Sequence, residues 1–136
     1  MIIFFYGLFM DESLLVTKGI KPNHRGIGHL DEYELRIGHR ATLMKKPDQH
    51  VYGILMEIQS AEVQALYAEE SVADYEPENV RVTNSEGQNI DAICYNLPVE
   101  KITGSNKAYA VKLQQLAKSL NFPVEYLDQI RRYTQS

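Results

Sequence analysis

The sequence predicts one α+β domain spanning 1–136, and three observations lead there. Ile2 to Tyr6 is an unbroken apolar and aromatic run, the pattern of a strand buried on both faces. The middle of the chain carries strand-like runs, one of them strictly alternating and two joined by a hairpin signal. From Asn106 onward the apolar residues recur at helical spacing instead.

Composition bounds the function classes. A chain of 136 residues can bury a real core but not two. Hydrophobic content of 44% and charged content of 24% are those of a soluble globular protein. The apolar stretch Ile2–Met10 is too short to span a bilayer, and it lacks the basic lead and small-residue cleavage site of a signal peptide. The single cysteine, Cys94, rules out an internal disulfide, so a cytoplasmic location is expected. A net charge of -4 without a basic cluster argues against nucleic acid as a partner. Between Val51 and Glu100 the only base is Arg81, set among many acids. Such a bias is ordinarily a solvated face, though like charges could also disfavour the ionisation of a carboxylate held among them.

Each element follows from local pattern. After the first strand Gly7 breaks the run, and Asp11-Glu12 opens a short helix. A strand that stops at a glycine and turns into a helix points backbone N–H groups into one small volume, suited to a carboxylate or phosphate. An ordinary turn would have the same sequence. Gly19 and Pro22 end the helix, and the chain re-enters as a strand near Gly26. Tyr33, Leu35 and Ile37 alternate with Glu32, Glu34 and Arg36, a half-buried strand. Ala41–Met44 is a short apolar stretch closed by Lys45-Lys46-Pro47-Asp48, which is turn chemistry. Val51–Ile58 is a buried strand in which Gly53 signals a bulge or a close backbone approach.

Ser60 is the expected N-cap of the next helix, with Glu62 in its first turn. Val63, Leu66 and Tyr67 form its buried stripe, and one further step reaches Glu70. Glu69 lies about 100° further round, toward water. A glutamate on a buried stripe is costly unless it is paired or used. If the helix instead frays at Ser71, Glu70 is merely solvated.

Asn79–Thr83 and Ile90–Leu97 read as strands joined at Asn84-Ser85-Glu86-Gly87. Tyr109, Leu113, Leu116, Ala117 and Leu120 mark a helix from Asn106 that Asn121 closes. Pro123 opens a last one, with Glu125 in its first turn and Arg131-Arg132 near its end. Cys94 reads as a core residue rather than a nucleophile. The four histidines, His24, His29, His39 and His50, have no zinc-site context, and Gly26-Ile27-Gly28 is no nucleotide motif. No metal, no cofactor and no covalent nucleophile is therefore expected. A carboxylate and an anion-binding turn remain.

In order along nearly the whole chain, the parts resemble the gamma-glutamylcyclotransferases and their relatives. Phe5-Tyr6-Gly7-Leu8-Phe9 is similar to the family's aromatic strand into Tyr-Gly-Ser-Asn or Tyr-Gly-Thr-Leu. Ala41-Thr42-Leu43, Pro47 and Val51-Tyr52-Gly53-Ile54-Leu55 follow its Ala-Thr, Pro and Val-x-Gly succession. Leu66-Tyr67-Ala68-Glu69-Glu70-Ser71, Tyr75 and Val80-Arg81-Val82 look like its Leu-Asp-x-x-Glu-Gly segment, Tyr and Val-x-Val strand. Ser105–Tyr109, Leu116-Ala117 and Phe122–Leu127 are similar to its closing helices.

The resemblance implies a small mixed β-barrel with helices packed around it, and release of an amine or amino acid from a gamma-glutamyl substrate. The substrate's own α-amine attacks, so no cofactor is needed, while a carboxylate moves the proton. By match to the motif that carboxylate is Glu70. Tyr6, Gly7, Leu8 and Phe9 would hold the substrate through backbone donors, with Tyr109 adding a hydroxyl. Leu8 and Phe9 stand where the family has small polar residues. Ser71 stands where it has glycine, which would strain a left-handed backbone there.

Overall fold

Two long antiparallel strands frame the molecule in this computed structural model, which describes residues 1–135. They are β2 (Asn23–Ile37) and β3 (Ala41–Glu57), a hairpin turned at residues 38–40. The first strand, β1 (Ile2–Phe5), lies antiparallel on β3 with Phe4 opposite Leu55. A second hairpin, β4 (Glu76–Asn84) and β5 (Asn89–Asn96), joins β2 through Gly28↔Asn84 and His29↔Thr83. One parallel pairing, Ile3↔Ile93, closes β5 onto β1. The result is a closed mixed barrel in the order β1-β3-β2-β4-β5, as the resemblance implied.

Among the described residues four α-helices surround it: α1 (Glu12–Thr17), α2 (Ser60–Leu66), α3 (Lys107–Ser119) and α4 (Val124–Arg131). Among the described residues, no helix is long and apolar enough to cross a membrane.

The core follows the sequence pattern. Phe4, Leu35, Ile54, Leu55 and Met56 are almost fully buried inside the barrel wall, joined by Leu113, Ala117 and Ile130 from the closing helices. Gly53 marks a close approach: a β-carbon there would collide with the Phe5 carbonyl oxygen and the Phe4 ring. Among the described residues, the polar side chains of Thr42 and Asn96 are buried and hydrogen-bonded, whereas the buried Tyr126 hydroxyl has no partner. Leu97 N–H donates to Thr42 Oγ1 at 2.8 Å, and Asn96 Nδ2 donates to Glu78 Oε1 at 3.3 Å.

Several expectations are corrected. Strand β2 begins at Asn23, three residues before Gly26, because β3 is long enough to pair with it there. Lys45-Lys46-Pro47-Asp48 does not close a short strand. The chain runs on through β3, and residues 46–49 loop out opposite Glu32 alone, with Glu32 and Asp48 both at positive φ. Pairing on either side outweighs local turn chemistry. Ser60 is the first residue of α2 rather than its cap; Gln59 is the N-cap, without a side-chain bond.

The largest correction is at the far end of α2, which stops at Leu66. Beyond Tyr67 the backbone loosens to three-residue turns, Ala68 N–H to Ala65 O at 3.4 Å and Glu69 N–H to Leu66 O at 3.5 Å. Helical phase is lost there, so Glu70 leaves the Val63–Leu66 stripe and is exposed. Ser71 is not among the positive-φ residues, so no strain is stored where the family has glycine.

Candidate functional site

One end of the barrel opens into a cleft of about 380 Å³, a volume common for small-molecule sites. It lies where β1 ends, where β3 begins and where β5 ends, with α3 and the segment after α2 as its other walls. Tyr6, Gly7, Leu8, Phe9 and Tyr109 all line it, so the structure brings these five sequence-derived residues together. Glu70 does not line it; its neighbours Ser71 and Val72 do, and so does Tyr67.

The first wall is the turn after β1. Gly7 leads into a 3-10 turn over Leu8–Met10, and Asp11 caps α1 by accepting from Ser13 N–H at 3.1 Å. Met10 N–H donates to Gly7 O and Asp11 N–H to Leu8 O, so two amides are spent within the turn. Leu8 N–H donates to the Tyr109 hydroxyl at 3.3 Å. The Gly7 and Phe9 amides have no hydrogen-bond partner among the described residues. The donor set is thus smaller than a fully open turn would offer.

Tyr109 reaches the turn from α3. Asn106 caps that helix, its Oδ1 accepting from Tyr109 N–H at 3.0 Å and its Nδ2 donating to His39 O at 3.1 Å. Because Tyr109 Oη accepts from Leu8, its own proton is free to be donated into the cleft. Burial pushes the phenol up to about 12, and the Leu8 N–H pulls it back a little, so it is a neutral donor at physiological pH.

The remaining walls are largely aromatic. Tyr67 stacks on Tyr95 with centroids 3.8 Å apart and an 11° interplanar angle, and Phe9 meets Phe5 edge-on at 6.0 Å. Tyr6 Oη donates to Tyr95 O at 2.6 Å, which leaves Tyr6 a structural floor rather than a free donor. Burial raises the Tyr6, Tyr67 and Tyr75 phenols well above the ordinary tyrosine value.

The segment from Tyr67 to Tyr75 is tied down at three points. Lys18 Nζ pairs with Glu69 Oε1 at 2.6 Å, and Tyr75 Oη donates to Ala41 O at 2.6 Å. Arg40 binds Asp74 in a two-pronged pair, Nη1–Oδ1 at 2.6 Å and Nη2–Oδ2 at 2.8 Å, and Nη1 also donates to Ser71 O at 3.1 Å. The guanidinium hydrogen bonds hold the Asp74 carboxyl down at about 2.

Sequence reasoning did not identify Arg40, Tyr75 and Tyr95 as lining residues. For the two tyrosines the signal was compositional: nine tyrosines and no tryptophan, a stock of amphipathic rings suited to a wall with a polar edge. Cys94 is buried, and burial pushes its thiol up to about 12, so it is the core residue expected. The histidines stay apart from the chemistry except His39, which lines the rim.

A family model described as AIG2-like matches residues 50–130. No curated protein matches the chain. Several solved structures share its fold. An uncharacterized protein from Homo sapiens superposes with a TM-score of 0.79 at 19% identity, over 97% of this chain and 86% of that one. A gamma-glutamyl cyclotransferase superposes with a TM-score of 0.77 at 19% identity, with the same coverage of both chains. YkqA from Bacillus subtilis superposes at 0.81 and 20% identity over 100% of this chain, which spans 54% of that protein. At such identities the likeness is one of fold.

Proposed function

The chain belongs to the AIG2-like family, and from that premise we propose that it cleaves a gamma-glutamyl amide by intramolecular cyclisation to 5-oxoproline. The observation that carries this reading is the cleft lined by Gly7, Phe9 and Tyr109, in which the Gly7 and Phe9 amides have no partner among the described residues. A similar fold in a protein known as a gamma-glutamyl cyclotransferase supports it. The backbone donors and Tyr109 would hold the substrate's carboxylate and polarise its γ-carbonyl, bending the glutamyl chain so that its α-amine meets that carbonyl. A proton must leave the amine and reach the departing nitrogen.

Glu70 is the group we assign to that transfer. It sits between Tyr67 and Ser71, both of which line the cleft, but its side chain is exposed. The assignment therefore requires the Glu70 side chain to swing toward the cleft, on a segment otherwise anchored at Glu69, Asp74 and Tyr75, when substrate binds. The outward glutamate equally favours a second reading, a binding module that captures a small carboxylate or amide without turnover. The experiment is 5-oxoproline release across gamma-glutamyl peptides and amines, with binding measured by calorimetry on the same panel. Turnover of any member supports the cyclotransferase; binding without turnover supports the module. Neither binding nor turnover would overturn both.

A further inference from the structure

Resting on the cyclotransferase reading, we infer that the leaving group is an uncharged, apolar amine, selected by Leu8, Phe9, Leu14 and Val72 against amino acids and polyamines. These four side chains line the cleft together. Phe9 is held by its edge-on contact with Phe5, and Leu14 stands 37% exposed on α1, a large apolar residue at the cleft with no structural need to face water. Apolar residues at the mouth of a pocket reward a ligand that covers them.

Charge points the same way. Among the described residues Arg40 is the lining's one arginine or lysine, with His39 beside it on the rim; both of Arg40's terminal nitrogens are on Asp74, with one also on Ser71 O. The α-carboxylate of a departing amino acid would have to break that two-pronged pair or go unpaired, and an unpaired buried charge is costly. An ammonium tail fares no better. The lining holds no Asp or Glu among the described residues, and Arg40 lies 5.6 Å from the Tyr75 ring, which spends that aromatic face on a cation already present. Glu70, if it turns inward, is engaged at the substrate's α-amine.

In the reaction the α-nitrogen bonds to the γ-carbonyl carbon and the amide C–N bond breaks. The proton lost by the α-amine goes to the departing nitrogen, so no water, metal or redox partner enters.

Matched pairs test this on the intact chain. Gamma-glutamylisopentylamide and gamma-glutamylleucine differ by one carboxylate, and gamma-glutamylbutylamide and gamma-glutamylputrescine by one ammonium. The uncharged member of each pair is expected to show kcat/KM at least roughly tenfold higher, read as 5-oxoproline. Leucine has the less basic nitrogen and is intrinsically the better leaving group, so such a preference cannot come from reactivity. Leu14→Gln, at an exposed position, and Phe9→Asn should each lower the ratio by raising KM for the apolar amide. Equal or reversed preference in wild type overturns the inference while leaving the cyclotransferase reading intact. An unchanged ratio in both variants overturns the assignment to these side chains. No 5-oxoproline from any substrate overturns the cyclotransferase reading and this inference with it.

Discussion

Gly7 and Tyr109 share a space that admits only one of a β-carbon and a phenol hydroxyl. A β-carbon at Gly7 would stand 2.6 Å from Tyr109 Oη, closer than such contacts allow. The φ of Gly7 is -107°, so the backbone there would accept any residue, and the glycine is required by its neighbour rather than by its own conformation. A contact this close is how the hydroxyl comes within reach of the Leu8 amide.

Gly7→Ala should therefore push Tyr109 away. We expect a stability loss of about 1–3 kcal/mol by urea unfolding, the usual cost of overpacking. Turnover of the best gamma-glutamyl amide should fall roughly 10- to 100-fold, and Tyr109→Phe should fall as far, since each removes the same donor. The double variant should be little worse than either single one. Additive losses would show that the two residues act separately.

Glu70→Gln keeps size and hydrogen bonding but cannot carry the proton, so turnover should drop by roughly 10²–10⁴-fold with the melting temperature unchanged. Glu69→Gln removes a half-exposed pair with Lys18 and should cost about 1 kcal/mol or less, with turnover near wild type. Steady-state rates and thermal melts of both variants check this. A fully active Glu70→Gln protein would remove Glu70 from the mechanism.

The Arg40–Asp74 pair makes stability depend on acid in a defined window. The folded carboxyl sits at about 2 against an ordinary 3.8, so its contribution is complete above 3.8 and is lost as pH falls through about 2. The difference in urea midpoint between wild type and Asp74→Asn should be constant from pH 7 to about 4 and shrink below that. A difference that grows on acidification would contradict the sign.

Cys94 should be inert in the native protein. With its thiol buried and pushed up to about 12, a disulfide reagent at pH 8 should modify it no faster than global unfolding exposes it. Fast, stoichiometric labelling of folded protein would show the barrel interior to be open.

The barrel was legible in the sequence where burial dictates pattern. Phe4, Leu35, Ile54 and Val82 stand out as apolar strand positions, and each is buried. Residues 46–49 carry a local turn composition that does not report the partner strand, and cross-strand pairing on both sides of Glu32 overrides it. Glu70 shows a different limit. Periodicity extrapolates a helix at 100° per residue but does not report where the hydrogen bonds cease, and α2 ends four residues short of it. Arg40 was invisible because its meaning comes from Asp74, 34 positions away, and from nothing adjacent. The turn at Gly7 was visible from its own residues, whereas which of its amides stay free depended on Tyr109, 101 positions from Leu8.

The parallel meeting of β1 and β5 has an order-of-assembly consequence. During synthesis β1 emerges first, and β3 can cover one of its edges once Glu57 has appeared. Its other edge stays bare until Ile93 arrives, and the cleft stays incomplete until Tyr109 follows. Until β5 is made, the chain thus displays an apolar strand edge, Ile2 to Phe5, the kind of edge that recruits foreign strands. On this topology the cleft wall formed by Tyr109 is added after the barrel's strands, so the strand edge is exposed before the cleft is complete.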